Sequence, residues 1–235
     1  MPKRKVSCVL LAAGMSKRFP GNKLLAPLID DKTVLEKTLE NTLKAHIEEL
    51  VIVLGSEGEK IEKVLKKFLE NPAPKDSRIR LKGPTNSINQ VSTIPFQIIF
   101  NGDYHRGQFT SVKKGLTSLE YPADGVIFCL GDQPLVSSEI INSLINKFKT
   151  TSCDVVYPTY KGQRGNPVLF HETLFDKLKE LDESNNGGNQ NKDRGGRSVL
   201  KKAKNPCSVE LSSPYILMDI DTEEDLEKVK KILKK

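Results

Sequence analysis

The sequence predicts an α/β fold: a Rossmann-like, mostly parallel sheet flanked by helices. Five short runs rich in Val, Ile and Leu recur along the chain, in the order VSCVLLA, ELVIVLG, FQIIF, GVIFCL and DVVYP. Between them lie segments with apolar residues at three- and four-residue spacing, which is typical of amphipathic helices. Strands that are apolar along their whole length are buried on both faces, as parallel sheets require.

Two apolar stripes predict the first two helices. The first stripe is Val34, Leu35, Leu39 and Leu43, and the second is Ile61, Val64, Leu65 and Phe68. Each stripe provides one face that packs on the sheet. The last helix has its own start signal, because Thr222 is followed three residues later by Asp225, an arrangement that resembles a capping box.

We predict a single domain over residues 1–235. A chain of 235 residues with 37% hydrophobic content suits one α/β core. Two segments interrupt the alternation: 71–95 carries four prolines, and 182–196 is rich in Asn and Gly. Both are predicted surface loops, because neither separates two segments that could each bury a core.

The formal charge of +7 does not by itself indicate an anionic macromolecule. Lysines and arginines at the two ends account for it, and no basic run is interleaved with aromatic residues as nucleic-acid binding would favour. No segment reaches the roughly 18–20 apolar residues of a membrane helix, and the first residues do not resemble a signal peptide. We therefore expect a cytoplasmic protein that binds neither nucleic acid nor a membrane.

The four cysteines are far apart in sequence and form no CxxC pair. Cys8 and Cys129 lie inside apolar runs. We interpret these two as buried structural thiols.

The stretch LAAGMSKRFPGNKLL, directly after the first predicted strand, is the strongest candidate for a ligand-binding loop. In an open α/β sheet, ligands bind beyond the carboxyl ends of the strands. The loop contains small residues and then two cations, namely Ala12, Ala13 and Gly14 followed by Arg18 and Lys23. Small residues allow backbone N–H groups to approach a phosphate. Since the Walker A pattern and the three-glycine dinucleotide pattern are both absent, the sequence predicts another kind of phosphate loop.

Two carboxylates are candidates for a metal site. Asp132 follows the run GVIFCL, and Asp221 comes just before the last predicted helix. Mg²⁺ prefers one or two protein carboxylates together with phosphate oxygens and water. The alternative is structural: Asp132 as a turn residue, and Asp221 or Thr222 as a helix N-cap.

Six blocks resemble a known family: LAAGMSKRFPGNKLL, NGDYHRGQFTSVKKGL, GDQPLV, RGNPVLF, KDRGGR and DIDTEEDL. In this order, over nearly the whole chain, they resemble the nucleotidyltransferases of the molybdenum cofactor family, and most closely its cytidylyltransferases. The resemblance implies a nucleotide-diphospho-sugar transferase-like fold and Mg²⁺ or Mn²⁺ as cofactor. It also implies transfer of CMP from CTP to the terminal phosphate of molybdenum-bearing molybdopterin, release of pyrophosphate, and a molybdoenzyme or its maturation factor as a partner.

The resemblance also implies roles for single residues. The catalytic set is Arg18, Lys23 and Asp132; the nucleotide-binding set adds Leu11, Ala12, Ala13, Gly14 and Ser111. The metal set is Asp132 and Asp221, and the acceptor-binding set is Asn166, Asp193 and Arg197. His105 is expected near the site. Tyr104 departs from the family, which usually has Trp at that position.

Other functions stay open at this stage. The acceptor could be a sugar phosphate, an isoprenoid-precursor phosphate or phospholactate, and the donor could be GTP. Guanylyltransferase relatives usually resemble LAGG in the first loop, so the methyl group of Ala13 favours CTP. A non-enzymatic assembly factor for the cofactor is a more distant alternative, and the intact set of charged residues argues against it.

Overall fold

A central eight-stranded sheet organises the described part of the chain, which in this computed structural model comprises residues 4–70, 94–182 and 196–234. The strands are β1 Val6–Ala12, β2 Pro27–Ile29, β3 Lys32–Thr33, β4 Leu50–Leu54, β5 Phe96–Phe100, β6 Gly125–Leu130, β7 Val155–Tyr160, β8 Gln163–Arg164, β9 Val168–His171 and β10 Pro206–Glu210. The helices are α1 Val34–Leu43, α2 Gly58–Glu70, α3 Gln108–Thr117, α4 Ser138–Thr150, α5 Phe175–Lys179, α6 Arg197–Lys201 and α7 Glu223–Leu233. None of these helices has the length and apolar character needed to cross a membrane.

The sheet has the strand order β10-β7-β9-β6-β1-β4-β5, with β8 paired to β7. The pairs β1–β4, β1–β6, β4–β5 and β7–β10 are parallel. Only β9 and β8 run antiparallel to their neighbours in this sheet, as the described residues form it. The short strands β2 and β3 form a separate two-stranded sheet.

The predicted fold class is confirmed. The runs VSCVLLA, FQIIF and GVIFCL coincide with β1, β5 and β6, while β4 and β7 begin one residue inside the two other runs. The antiparallel strand β9 was not predicted. The predicted loops 71–95 and 182–196 lie outside the described residues except at 94–95, 182 and 196.

Helices cover both faces of the sheet. Along β1, Val6, Cys8 and Leu10 point to one face and pack with α1 and α4, whereas Val9 and Leu11 point to the other face and pack with α3. Every residue of β1 and β4 is buried. The two-sided burial expected from the apolar runs is therefore present in the central strands.

Side-chain caps fix the first turn of two helices. Thr33 caps α1 and Thr222 caps α7, each in a complete capping box. The second box is the one predicted from the sequence. A cap of this kind stabilises a helix by about 1 kcal/mol.

Helix α1 carries one buried acidic residue, Glu40. Glu40 accepts hydrogen bonds from Lys32 and Lys37 at 3.1 Å and from Lys44 at 3.2 Å. Burial alone raises the pKa of this carboxyl group, but the three ammonium groups outweigh it and lower the pKa to about 2.

The two cysteines predicted to be buried thiols are buried, with Sγ atoms 3.7 Å apart on neighbouring strands. The other two, Cys153 and Cys207, form a disulfide that joins the start of β7 to β10. No pairing was predicted for them, because a separation of 54 residues carries no local signal.

Candidate functional site

A cleft of about 740 Å³ opens at the carboxyl end of the parallel strands. Its walls contain every predicted site residue that lies in the described ranges, namely Leu11, Ala12, Ala13, Gly14, Arg18, Lys23, Ser111, Asp132, Asn166, Arg197 and Asp221. His105 and Tyr104 also line it. The remaining predicted residue, Asp193, lies outside the described residues.

The loop after β6 holds Asp132 at the floor of this cleft. The preceding Gly131 donates its N–H to the carbonyl of Leu11 at 2.9 Å, which ties the loop to the end of β1. Thr38 donates its hydroxyl to the Gly131 carbonyl, and the Asn41 amide donates to two further carbonyls of the same loop. Thr38 and Asn41 are buried residues of α1, so α1 holds the backbone of this loop in place. The carboxylate of Asp132 faces the cleft.

Asp221 is brought beside this loop by a backbone contact. The N–H of Ile220 donates to the Asp132 carbonyl at 3.1 Å. Thr222 is the N-cap of α7, and its partner in the capping box is Asp225. The carboxylate of Asp221 is therefore not used as the cap, and the structural alternative raised for it does not apply.

Two cations join the two carboxylates. The Lys23 ammonium donates to Asp132 at 2.6 Å and to Asp221 at 2.8 Å, and the guanidinium of Arg18 donates to the other oxygen of Asp221 at 2.5 Å. The Lys23 side chain is only 11% exposed, whereas that of Arg18 is 70% exposed. The Lys23 contacts are thus well shielded from solvent, while Arg18 lies at the rim in a weakly stabilising ion pair.

The charges in the cleft shift the pKa of two groups. Burial by itself lowers the pKa of the Lys23 ammonium, but Asp132 and then Asp221 outweigh this effect and raise it above its ordinary value. Asp219 also lines the cleft, and its partly buried carboxyl group accepts a hydrogen bond from Gln133. Desolvation there, followed by repulsion from Asp132 and Asp221, raises its pKa to about 6.

The carboxylates fit a hard divalent cation. Asp132 Oδ1 is the one buried side-chain oxygen or nitrogen in residues 4–70, 94–182 and 196–234 that has no hydrogen-bond partner. Its other oxygen, and one oxygen of Asp221, already face a positive charge on Lys23. The same ranges contain no group of three or more His, Cys, Asp or Glu residues that could hold a metal alone. Such a site suits Mg²⁺ or Mn²⁺, whose coordination is commonly completed by phosphate oxygens and water.

The first loop leaves room for a ligand. A Cβ atom built on Gly14 would have no atom within 4 Å, so the backbone there borders open cleft. A Cβ built on Gly55 would lie 2.8 Å from the Ala13 methyl group and 2.7 Å from Cβ of Tyr104. Ala13 is therefore packed so closely against Gly55, the residue after β4, that any side chain at position 55 would clash with the Ala13 methyl group.

Ser111 is held by a hydrogen bond that the sequence did not predict. The amide of the buried Asn101 donates to the hydroxyl oxygens of Ser111 and Thr110, both at 2.9 Å. The Ser111 hydroxyl lines the cleft with its own proton still available for donation.

Several polar residues in or beside the cleft were not predicted from the sequence, and three of them are Asp219, Gln133 and Arg164. Asp219 accepts a hydrogen bond from the buried Gln133, and Arg164 lines the cleft from β8. All three belong to blocks already recognised as family-like: Gln133 follows Asp132, Asp219 opens DIDTEEDL, and Arg164 opens RGNPVLF. Their polar character inside those blocks was the available signal.

Comparison with known proteins supplies independent findings. The sequence profile of the MobA-like NTP transferase domain matches residues 8–207. The purine catabolism protein PucB of Bacillus subtilis is 25% identical over 96% of this chain and 96% of its own length. A molybdenum cofactor cytidylyltransferase of Escherichia coli is 23% identical over 94% and 93%, and a probable molybdenum cofactor guanylyltransferase of Thermococcus sibiricus is 24% identical over 94% and 96%.

Solved structures share the fold. A nucleotidyl transferase from Methanothermobacter superposes with a TM-score of 0.71 at 20% identity, covering 97% of both chains. A Mycobacterium tuberculosis protein solved in complex with manganese has a TM-score of 0.64 at 20% identity, covering 97% of this chain and 99% of its own. At these identities the likeness concerns the fold alone.

Proposed function

Because the chain belongs to the MobA-like NTP transferase family, we propose that it transfers CMP from CTP to the terminal phosphate of molybdenum-bearing molybdopterin and releases pyrophosphate. The membership confirms the resemblance found in the sequence blocks, and it makes the protein a nucleotidyltransferase and not a non-enzymatic assembly factor. The choice of CTP and of the molybdopterin acceptor is the proposed part. Relatives described as a cytidylyltransferase, a guanylyltransferase and a purine catabolism protein are about equally similar to this chain.

The observation that carries the proposal is the charge cluster on the cleft floor. Lys23 lies within 2.8 Å of both Asp132 and Asp221, and Arg18 lies beside Asp221 at the rim. Nucleotidyl transfer needs cations that neutralise the triphosphate and the departing pyrophosphate. Arg18 and Lys23 can supply these cations, because they follow the carboxyl end of β1 and lie beside Gly14, whose backbone is open to a ligand.

In this proposal Asp132 and Asp221 hold the divalent cation, with the partnerless Oδ1 of Asp132 as one ligand. The bound cation would neutralise donor phosphate charge and polarise the phosphoryl oxygens. The manganese complex of the M. tuberculosis structure agrees with a divalent metal in proteins of this fold. We propose Mg²⁺ or Mn²⁺ as the cofactor.

The chain's own residues perform binding and charge neutralisation. Backbone N–H groups of Ala13 and Gly14, just beyond the end of β1, bind donor phosphates, while Arg18 and Lys23 stabilise the growing negative charge of pyrophosphate. An oxygen of the acceptor phosphate forms the new bond to the α-phosphorus as the bond to the β-phosphate oxygen breaks. An acceptor phosphate is ionised at neutral pH, so no side chain has to remove a proton from it.

The donor is proposed to be CTP because of Ala13. Ala13 is 7% exposed, lines the cleft, and lies tightly against Gly55. A close-packed wall of this kind leaves less room for a purine than glycine would at the same position. The contrast between this loop and the LAGG loops of guanylyltransferases supports the same choice.

The test is pyrophosphate release with CTP, GTP, UTP or ATP in the presence of molybdenum-loaded molybdopterin and Mg²⁺ or Mn²⁺. Turnover that requires the acceptor and is fastest with CTP supports the proposal. Fastest turnover with GTP overturns the donor assignment. Turnover with a sugar phosphate or another phosphorylated acceptor, and none with molybdopterin, overturns the acceptor assignment and leaves the nucleotidyltransferase standing.

A further inference from the structure

Two arginines line the same cleft as the first loop, one from β8 and one from α6. Arg164 ends the short strand β8, and Arg197 begins helix α6. Both line the cleft, and Asn166 lines it beside them. The family resemblance assigned a role to Arg197 and Asn166 but none to Arg164.

The backbone around Arg164 is firmly held. Arg164 pairs with Thr159 of β7 across the β7–β8 hairpin, and its guanidinium lies over the ring of Tyr157 with 5.8 Å between the charged carbon and the ring centre. The next residue, Gly165, donates its N–H to the carbonyl of Pro158 at 3.0 Å. A Cβ atom built on Gly165 would collide with the carbonyl of Ile216, so the chain passes there only as glycine. The guanidinium is therefore presented to the cleft from a pre-organised hairpin.

The two guanidinium groups have no anionic partner among the residues that the structure describes. Burial, and then the charge of Arg197, lowers the pKa of Arg164, which nevertheless stays protonated at neutral pH. Within residues 4–70, 94–182 and 196–234, neither arginine forms a hydrogen bond or an ion pair with a carboxylate. Arg18 and Lys23, by contrast, are both paired with Asp221. Two guanidinium groups on the wall of one cleft, with no carboxylate partner in those ranges, offer charge and hydrogen-bond donors to an anion.

The order of the strands separates this pair from the phosphate loop. The loop of Gly14 follows β1, whereas Arg164 follows β7, and β6 with Asp132 lies between them in the sheet. An anion at the arginine pair therefore occupies a different part of the cleft from a triphosphate at the first loop. Asp132, in the loop after β6, lies between the two regions.

We propose that Arg164 and Arg197 together bind the phosphomonoester of the acceptor and hold it for attack on the nucleotide bound at the first loop. This inference rests on the proposed function and adds a residue and a ligand class to it. A guanidinium offers parallel N–H donors that match two oxygens of one phosphate group. Two such groups neutralise a dianion and so reduce its repulsion from the neighbouring triphosphate, while its remaining oxygen faces the reaction.

The experiment measures phosphate binding separately from nucleotide binding by isothermal titration calorimetry. The protein is first titrated with α,β-methylene CTP and Mg²⁺, and the saturated complex is then titrated with inorganic phosphate. Arg164→Gln and Arg197→Gln should each weaken phosphate binding at least tenfold and change the dissociation constant of the analogue less than twofold. Arg164→Lys should lose part of the affinity, because it keeps the charge but not the paired donors.

Lys161→Gln is the matched control. Lys161 lies in the turn of the same hairpin, is exposed, and does not line the cleft, so its loss removes one positive charge without touching the proposed site. This variant should bind phosphate as wild type does. Circular dichroism and the thermal midpoint check that each variant is folded.

Three results would overturn the inference. The first is unchanged phosphate affinity in folded Arg164→Gln, and the second is no phosphate binding by the wild-type complex. The third is an equal loss of phosphate and analogue affinity, which would assign the arginines to the donor triphosphate. Failure of the wild-type protein to bind any nucleoside triphosphate would instead contradict the proposed function, and titration with phosphate alone would still test the arginine pair.

Discussion

Replacing Lys23 by methionine should destabilise the metal-free protein and make its stability depend on a divalent cation. The Lys23 ammonium donates to Asp132 at 2.6 Å and to Asp221 at 2.8 Å from a side chain that is 11% exposed. Methionine has a similar length and no charge. Because Asp132 Oδ1 already has no partner, the variant leaves both oxygens of that carboxylate without a hydrogen bond from Lys23 or any other described side chain.

The size of the effect follows from the burial of the three side chains. Removing one partner of a fully buried ion pair costs about 3–5 kcal/mol. Here Asp132 is 19% exposed and Asp221 is 32% exposed, and loss of the ammonium also removes its own desolvation cost, so we expect about 2–3 kcal/mol. In a chain of this size that corresponds to a fall in the thermal midpoint of about 4–12 °C.

The assay is thermal unfolding in EDTA and then with Mn²⁺, combined with Mn²⁺ binding followed by electron paramagnetic resonance. A cation present at 100 times its dissociation constant stabilises the folded state by about 2.7 kcal/mol, which is enough to restore the variant. Without nucleotide, Lys23→Met should bind Mn²⁺ more tightly than wild type, because no ammonium competes for the carboxylates. Arg18→Gln is the control: its exposed ion pair contributes at most about 1 kcal/mol.

Unfolding of Lys23→Met in EDTA at the wild-type temperature would contradict this prediction. Equal stabilisation of the two proteins by Mn²⁺, with the same Mn²⁺ affinity, would also contradict it. Either result would mean that Lys23 does not compete with the cation for the two carboxylates.

Three further predictions address catalysis, selectivity and pH. Asp132→Asn and Asp221→Asn should each lower pyrophosphate release about 100-fold or more at unchanged circular dichroism, because a metal ligand is worth several kcal/mol in the transition state; near wild-type rates would contradict the assignment. Ala13→Gly should relax discrimination against GTP in competition kinetics with CTP, within a window of roughly 10- to 200-fold, and an unchanged ratio would argue against the methyl group as the cause. Glu40→Gln should reduce the free energy of unfolding at pH 7 by at most about 3 kcal/mol, since its folded pKa is about 2 against an ordinary value of 4.5. That contribution is complete above pH 4.5 and is lost as the pH falls towards 2, so urea titrations of the two proteins should converge in acid; a constant difference across this range would count against the ion cluster.

Sequence alone predicted the elements whose signal is local. The runs VSCVLLA, FQIIF and GVIFCL became β1, β5 and β6, and the Thr222 capping box begins α7 as predicted. A buried parallel strand needs apolar residues along its whole length, and a cap needs its two partners three residues apart. Both patterns can therefore be recognised in the sequence without knowledge of any tertiary contact.

The cleft residues were also found in the sequence, although for a different reason. Each follows a strand or lies in a block that resembles the family, and the carboxyl ends of parallel strands meet at one edge of the sheet. What the sequence left open was whether Asp221 is the cap of the last helix. Only the structure showed that Thr222 is the N-cap and that the Asp221 carboxylate faces Lys23, which leaves this carboxylate available for the metal role proposed above.

Only the tertiary structure decided the features that depend on distant pairing. The antiparallel strand β9 lies between β6 and β7, and Cys153 meets Cys207 across 54 residues, with no local signal for either. The meeting of Arg164 and Arg197 in one cleft, and the contact of Asp219 with Gln133, likewise depend on how strands and loops pack. The spacing of apolar residues predicts which face of a helix or strand is buried. The charged groups next to a given side chain depend on contacts between residues that are distant in sequence, and these exist only in the folded chain.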